Sequence, residues 1–200
     1  VVLFFQMESI IYYLFFTHVI CYWSTVLFYT YRFNQWQEES WYVVKNVLVN
    51  QFVVTPLYWF LFLYYPESIA SYHGLWQIPA MVILTDVIFY VCHRIFHWNK
   101  TLYSYVHEQH HRYDPPIACA GLYSHPLEHL CINLTSTVLP MFIVRANLTV
   151  ALLWTIVTSI NVVVAHSGIH GGAHTKHHKY QTCNYGVGVL LMDRVFNTFR

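Results

Sequence analysis

Residues 9–31, SIIYYLFFTHVICYWSTVLFYTY, contain no Asp, Glu, Lys or Arg. About 20 apolar helical residues cross a hydrocarbon core roughly 30 Å thick, so this run commits the chain to a bilayer. Further apolar runs follow at 43–65, where Pro56 is expected to kink the helix, and at 75–92, LWQIPAMVILTDVIFYVC. Residues 130–145 and 147–165 are two more, joined at Arg145–Asn147 and read as a hairpin into or across the membrane. The first of these is short enough to be re-entrant. Segments 32–40 and 65–74 are polar loops, and His73 in the second is read as a plain loop residue. His18 lies inside the first span and is read as structural, facing the bundle or donating to a backbone carbonyl. The expected fold is an all-α integral membrane helical bundle of about four to five spans or re-entrant helices.

Composition agrees. The 200 residues are 56% hydrophobic and 10% charged, against about 25% charged in a soluble domain. Seventeen Tyr, fourteen Phe and seven Trp suit aromatic belts at the membrane interfaces. A net charge of +1 argues against nucleic acid as a partner. Five scattered cysteines without a C-x-x-C pair are read as free thiols. The opening VVLFF has no initiator Met, and the chain is read as a fragment.

Twelve of the fourteen histidines fall between 93 and 178. They recur in two spacings. His93 and His97 form H-x-x-x-H, and His107, His110 and His111 form H-x-x-H-H. His125 with His129, and His166 with His170, repeat the first; His174, His177 and His178 repeat the second. Residues three and four apart are neighbours on a helix, so each box is expected to aim its rings at one point. Crowded imidazolium ions would repel, whereas neutral imidazole is the commonest protein ligand for borderline transition metals. One zinc takes about four ligands, so ten or more grouped rings point to two metal ions. Surface histidines without a common target do not explain grouped sets at helical spacing.

The topology brings the boxes together. His93 follows the third span, residues 93–129 form a polar cap, and the hairpin returns the chain to the same side before His166. Arg32, Lys45, Arg94, Lys100, Arg112, Lys176, Lys179, Arg194 and Arg200 share that side, and Arg145 alone falls opposite. By the positive-inside rule the histidine-rich cap is cytosolic. Asp86 lies two helical turns before His93 on the same face. It is read either as orienting a ligand ring from behind or as a satisfied carboxylate bonded to Tyr or Trp.

In these boxes the chain resembles the fatty acid hydroxylase / sterol desaturase superfamily of integral membrane di-iron oxidases, most of all its C-4 methylsterol oxidase-like branch. The likeness lies in DVIFYVCHRIFH, YSYVHEQHHRYDPPIACAGLYSHPLEH, AHSGIH and HTKHHKYQTCNYGVGVLLMDRVFNT, across about residues 76–199. It implies an N-terminal transmembrane hairpin region at 1–75 and a hydroxylase-type catalytic domain at 76–200. The implied iron ligands are His93, His97, His107, His110, His111, His166, His170, His174, His177 and His178. His125 and His129 match a pair found in the nearest branch and are candidates for an additional or supporting role. Asn184 is a candidate to support a metal-bound water, and Asp193 and Arg194 to support or cap, with structural roles equally open. Two departures stand out: Asn197 where the family's D-R-x-F-G-T pattern has Gly, and Ala173 where an aromatic often precedes the final box.

The implied activity is O2-dependent hydroxylation or oxidation of an unactivated C–H bond in a sterol or fatty acyl lipid, with two iron ions as cofactor. No Rossmann fingerprint and no C-x-x-C-H haem motif occur, so electrons come from outside, by resemblance from cytochrome b5 and its NAD(P)H reductase. The implied location in a eukaryote is the endoplasmic reticulum membrane. A membrane transporter or storage protein for zinc or iron is the alternative, disfavoured because its ligands would lie near the bilayer midplane. A metallohydrolase would carry H-E-x-x-H, which is absent.

Overall fold

The computed structural model describes residues 2–56, 74–169 and 171–200, with side chains from residue 10 onward. All regular structure among them is helical: α1 (Val2–Phe33), α2 (Ser40–Val49), α3 (Gln77–Trp98), α4 (Thr135–Ile143), α5 (Leu148–Ala165), α6 (Ala173–Tyr180) and α7 (Leu191–Val195). Three described helices are long and apolar enough to cross a membrane, at Ile10–Phe33, Gln77–Trp98 and Leu148–Ala165. The expected span at 43–65 is helical as far as Pro56; its second half and His73 lie outside the described residues. The short run at 130–145 is a π-helical turn, His129–Leu134, continuing into α4, together shorter than a span.

In lipid the helices gain nothing from expelling water, so close packing and interhelical hydrogen bonds must hold them. Both are present. Leu14 of α1, Met81 of α3, Val138 and Met141 of α4 and Trp154 of α5 share one buried core. Tyr22 and Val26 of α1 share a second with Val163 and the 3-10 turn Ala118–Leu122. Thr85 Oγ1 donates to the Ser136 carbonyl at 2.8 Å, and Trp154 Nε1 donates to the Thr137 carbonyl at 2.9 Å. Gln77 Nε2 donates to the carbonyls of Val144 and Arg145, satisfying the open end of α4. Asn147 Oδ1 then accepts the Val150 N–H and starts α5. Arg145, with φ of 51°, therefore turns the chain at the opposite end of α5 from His166. Gly121 sits so close to α5 that a Cβ there would lie 3.1 Å from the Val162 carbonyl oxygen.

The helix of the span read at 75–92 continues to Trp98. Nothing between breaks it, and Asn99 turns extended and caps the next turn through Oδ1. His93 and His97 thus ride on the last turns of a spanning helix. The following box is not one regular helix. Tyr103–His107 is a π-helical turn and His110–Arg112 a 3-10 turn, before Tyr113 turns extended ahead of Pro115.

Candidate metal centre

The rings gather into two adjoining clusters. His93, His97, His107, His111 and His177 form cluster A; His110, His166, His174 and His178 form cluster B. Within each, the facing nitrogens all lie within 4.8 Å of one another. The clusters touch: His111 and His178 have ring centroids 4.8 Å apart, and His107 and His110 5.5 Å. His170 lies outside the described residues.

Each H-x-x-H-H box is divided between the clusters, contrary to the expectation that one box aims at one point. His107 and His111 serve A while His110 serves B; His174 and His178 serve B while His177 serves A. Residues four apart differ by about 40° around a helix, and the residue three along points some 100° away from the fourth. The paired rings therefore share a centre, and the odd ring reaches the neighbouring one.

The backbone fixes which nitrogen faces inward. Nδ1 of His93 donates to the Tyr185 carbonyl at 2.7 Å, and Nδ1 of His177 to the Cys183 carbonyl at 2.8 Å. In cluster B, Nδ1 of His166, His178 and His110 donates to the carbonyls of Val162, Tyr113 and Tyr123 at 2.7, 3.2 and 3.3 Å. A carbonyl only accepts, so these Nδ1 atoms carry the proton and Nε2 of each neutral ring presents a lone pair. The Nε2 atoms nevertheless crowd together. In A, His107 stands 3.0 Å from His93 and 2.9 Å from His97, and His111 stands 3.1 Å from both His97 and His107. In B, His174 stands 2.8 Å from His166 and 3.2 Å from His178.

Protons do not relieve this crowding. Burial pushes His107, His166 and His177 down to about 3 and lowers His110, His111, His174 and His178 as well. A cation does. A metal about 2.1 Å from each nitrogen spaces neighbouring donors ~3.0 Å apart at right angles and ~3.4 Å at the tetrahedral angle. The two donor sets fit one divalent transition ion each, in the nitrogen-rich setting that iron, zinc and copper accept.

Sequence reasoning passed over Glu128 as a metal-site residue. It is 2% exposed, and Oε2 lies 2.9 Å from Nδ1 of His107, while Oε1 lies 3.8 Å from Nδ1 of His110. Burial raises its carboxyl to about 8, with His110 pulling the other way. A carboxylate behind a ligating imidazole fixes the ring and raises its basicity. The signal was available, since Glu128 stands between His125 and His129 in SHPLEH. Those two histidines are in neither cluster. His125 caps the turn Pro126–Glu128, its Nδ1 accepting the Leu127 N–H. His129 Nε2 bonds Thr55 Oγ1 at 3.1 Å.

The remaining candidates support the loop behind cluster A. Asp86 has no hydrogen bond to a ring among the described residues; its Oδ2 accepts the Met192 N–H at 2.9 Å at the start of α7. Asp193 accepts the N–H groups of Tyr185 and Gly186 and the hydroxyl of Thr198 at 2.8, 2.6 and 2.7 Å. It thereby holds the Tyr185 carbonyl against His93. Asn184 donates to the carbonyls of Ala173 and Arg200 and accepts the Arg200 N–H, tying the C-terminal residues to the start of α6. Asn197 has φ of 54°, a left-handed backbone that glycine adopts freely and Asn tolerates. Its exchange for the family's glycine keeps that turn available.

Below the clusters a cavity of about 430 Å³ runs between α1, α3, α4 and α5. His93, His110, His166 and His174 line its upper end, and Leu14, Met141 and Trp154 are among the apolar residues lining it elsewhere.

The sequence profile described as fatty acid hydroxylase matches residues 78–198. Fatty acid hydroxylase ahd1 of Mycosarcoma maydis is 37% identical over 123 residues, covering 58% of this chain and 32% of that protein. A Delta(7)-sterol 5(6)-desaturase of Candida dubliniensis is 32% identical over 172 residues, 78% of this chain and 43% of its own length. Methylsterol monooxygenase 2-2 of Arabidopsis thaliana is 33% identical over 139 residues, 61% of this chain and 52% of its own length. The chain thus spans about a third to a half of the length of these relatives. No solved structure matches it. With the profile covering more than half of its residues and both histidine clusters, the chain belongs to the fatty acid hydroxylase family.

Proposed function

We propose that this chain is the catalytic region of a membrane di-iron oxidase that uses O2 to oxidise an unactivated C–H bond of a sterol or fatty acyl lipid. One observation carries the reading: two adjoining sets of inward-facing imidazole lone pairs open on an apolar cavity within a bundle of spanning helices. When bound, two ferrous ions supply the reduction of O2 and the oxidation of the C–H bond.

The chain's own residues prepare that chemistry. His93, His97, His107, His111 and His177 would hold one ion, and His110, His166, His174 and His178 the other, with His170 a further ligand by resemblance. The carbonyls of Tyr185, Cys183, Val162, Tyr113 and Tyr123 keep the Nδ1 protons, and the carboxyl group of Glu128 stands 2.9 Å behind Nδ1 of His107. The cavity seats the lipid from the bilayer side and excludes water from its reacting carbon. Residues 76–200 form the catalytic domain on this reading, and 1–75 the N-terminal transmembrane hairpin region.

Electrons come from a separate donor of the cytochrome b5 type with its NAD(P)H reductase, docking on the histidine side. Arg145 lies a full helix length from His166, which supports a cytosolic face for the clusters and an endoplasmic reticulum location.

Metal analysis and product analysis test the proposal together. The purified chain is expected to hold about two irons and, with reductant and labelled O2, to place label in a lipid alcohol or yield an alkene. A single zinc without iron, or metal release into vesicles without lipid oxidation, would point to transport or storage instead.

A further inference from the structure

Most polar residues in the apolar helices spend their hydroxyls on their own backbone. Thr155 and Thr158 donate to the carbonyls four residues earlier. Ser159, on the same stretch of α5, does not. Its Oγ lies 2.8 Å from Nδ1 of His18 in α1.

The direction of that bond follows from its neighbours. Trp23 Nε1 can only donate, and it donates to Gln51 Oε1 at 2.8 Å. The Gln51 amide nitrogen therefore faces Nε2 of His18, 3.1 Å away, and donates to it. His18 then carries its proton on Nδ1 and donates to Ser159, leaving the serine hydrogen without an acceptor among the described residues.

A second chain runs beside the first. Thr55 donates to the Asn50 carbonyl, so its oxygen accepts from Nε2 of His129. Nδ1 of His129 is then an acceptor, and the Asn133 amide nitrogen approaches it at 3.4 Å. Asn133 Oδ1 is left as an acceptor without a described partner. Gln51 and Thr55 come from one stretch, Gln51 in the π-helical turn Asn50–Val54 and Thr55 directly after it.

Ser159, Asn133, His18, His129 and Thr55 all line the cavity under the metal centre. The open groups are one donor and one acceptor, and a hydroxyl can pair with either. No Lys or Arg is among the described lining residues, so a carboxylate or phosphate would find no counter-charge there. Ser159 lies seven residues before His166, two turns and ~10 Å along one face of α5.

We propose that Ser159 and Asn133, oriented by His18 and His129, bind the hydroxyl of a neutral lipid and so fix which of its carbons reaches the histidine clusters. The ligand is a hydroxysterol or a long-chain alcohol. The proposal rests on the cavity being the lipid site, and deepens that reading from a lipid in general to one held by a neutral hydroxyl within ~10 Å of the clusters along α5.

Equilibrium binding to the full purified chain tests this without turnover. The probes are radiolabelled cholesterol and hexadecan-1-ol in separate arms, each competed with its methyl ether and with palmitate. At least one free alcohol is expected to bind about tenfold or more tightly than its ether, because a site built to hydrogen-bond a hydroxyl rejects an analogue lacking it. The arm that shows this preference identifies the source. Ser159→Ala and Asn133→Leu are each expected to bring the ratio toward one with iron content unchanged.

Equal binding of alcohol and ether in both arms overturns the proposal, as does a preference that survives both substitutions or tighter binding of palmitate than of either alcohol. If Asn133→Leu fails to fold, the wild-type comparison and Ser159→Ala still decide. An iron-free protein that kept the alcohol preference would sink the oxidase reading and leave this site standing. A protein that oxidised lipid with no such preference would do the reverse.

Discussion

Clusters A and B use the same ring in the same neutral state, but they are held from different sides. Cluster A is supported by the C-terminal loop, through the carbonyls of Tyr185 and Cys183, and by the carboxylate of Glu128. Cluster B is supported by carbonyls of the main body, at Val162, Tyr113 and Tyr123. Their outlooks differ too. His110, His166 and His174 of B line the apolar cavity, joined from A by His93. His111 of A borders a polar groove with Tyr103, Glu108, Gln109 and Gln181. Cluster B gives mainly onto the apolar cavity while A also borders the polar groove, and the two divided boxes each contribute to both clusters.

The comparison breaks most visibly at the ligands. His107→Ala and His178→Ala are each expected to lower iron from about two per chain to about one, while the double substitution leaves none. Either single change should reduce lipid oxidation by more than the ~100-fold that marks the loss of an outer partner. Loss of both irons from a single substitution would mean that the clusters are one cooperative unit.

Glu128→Gln separates the clusters more gently, because Glu128 approaches His107 of A more closely than His110 of B. Affinity for the ion in A should fall about 10- to 100-fold, with B far less affected. The same change should stabilise the metal-stripped protein at pH 7 to 8. Burial raises the Glu128 carboxyl to about 8 from an ordinary 4.5. The unfolded chain ionises it across that window while the folded chain does not, so stability is lost as pH rises through it. Thermal unfolding of stripped wild type and variant checks the sign.

Acid should not discriminate between the clusters. His107 and His177 in A and His166 in B are all pushed from 6.5 to about 3 by burial. Below 6.5 the unfolded rings take up protons that the folded rings refuse, so stability falls as pH drops from 6.5 toward about 3. Each fully shifted ring contributes roughly 1.4 kcal/mol per pH unit. Bound metal deepens the loss, because the ions need the neutral rings as well. Iron retention measured from pH 7 down to about pH 5 should fall together for both sites.

How much of this was legible beforehand differs by feature. Membrane helices follow from apolar runs, since length and composition alone set a span. The ring set follows from spacing, because i, i+4 pairs on α3 and α6 meet whatever surrounds them. The division of the second H-x-x-H-H box follows from helical angles on α6, whereas the first is divided across a π-helical and a 3-10 turn, at Tyr103–His107 and His110–Arg112, that no local pattern announces. Glu128 was hidden by its neighbours: His125 and His129 carried the recognisable spacing, yet one caps a turn and the other bonds Thr55. Ser159 carries no signal in the sequence, because its partner His18 lies 141 residues away. Asp86 was read as meeting a ligand ring, Tyr or Trp, but its partner is a backbone N–H in α7.

The smallest expected effect concerns the loop behind cluster A. Asp193 accepts three hydrogen bonds, and Asn can accept through only one of its two terminal atoms. Asp193→Asn should therefore release the Gly186 or the Tyr185 N–H, at a cost of about 1–3 kcal/mol in stability. The Tyr185 carbonyl then holds His93 less firmly, and the ion in A should exchange faster while that in B, supported from Val162, Tyr113 and Tyr123, keeps its rate. Gly186→Ala attacks the same loop by crowding, since a Cβ would lie 2.7 Å from Asp193 Oδ2 and 2.9 Å from Asp86 Oδ1. Iron-release kinetics that slow or quicken equally at both sites in these variants would show that the C-terminal loop supports the two clusters as one.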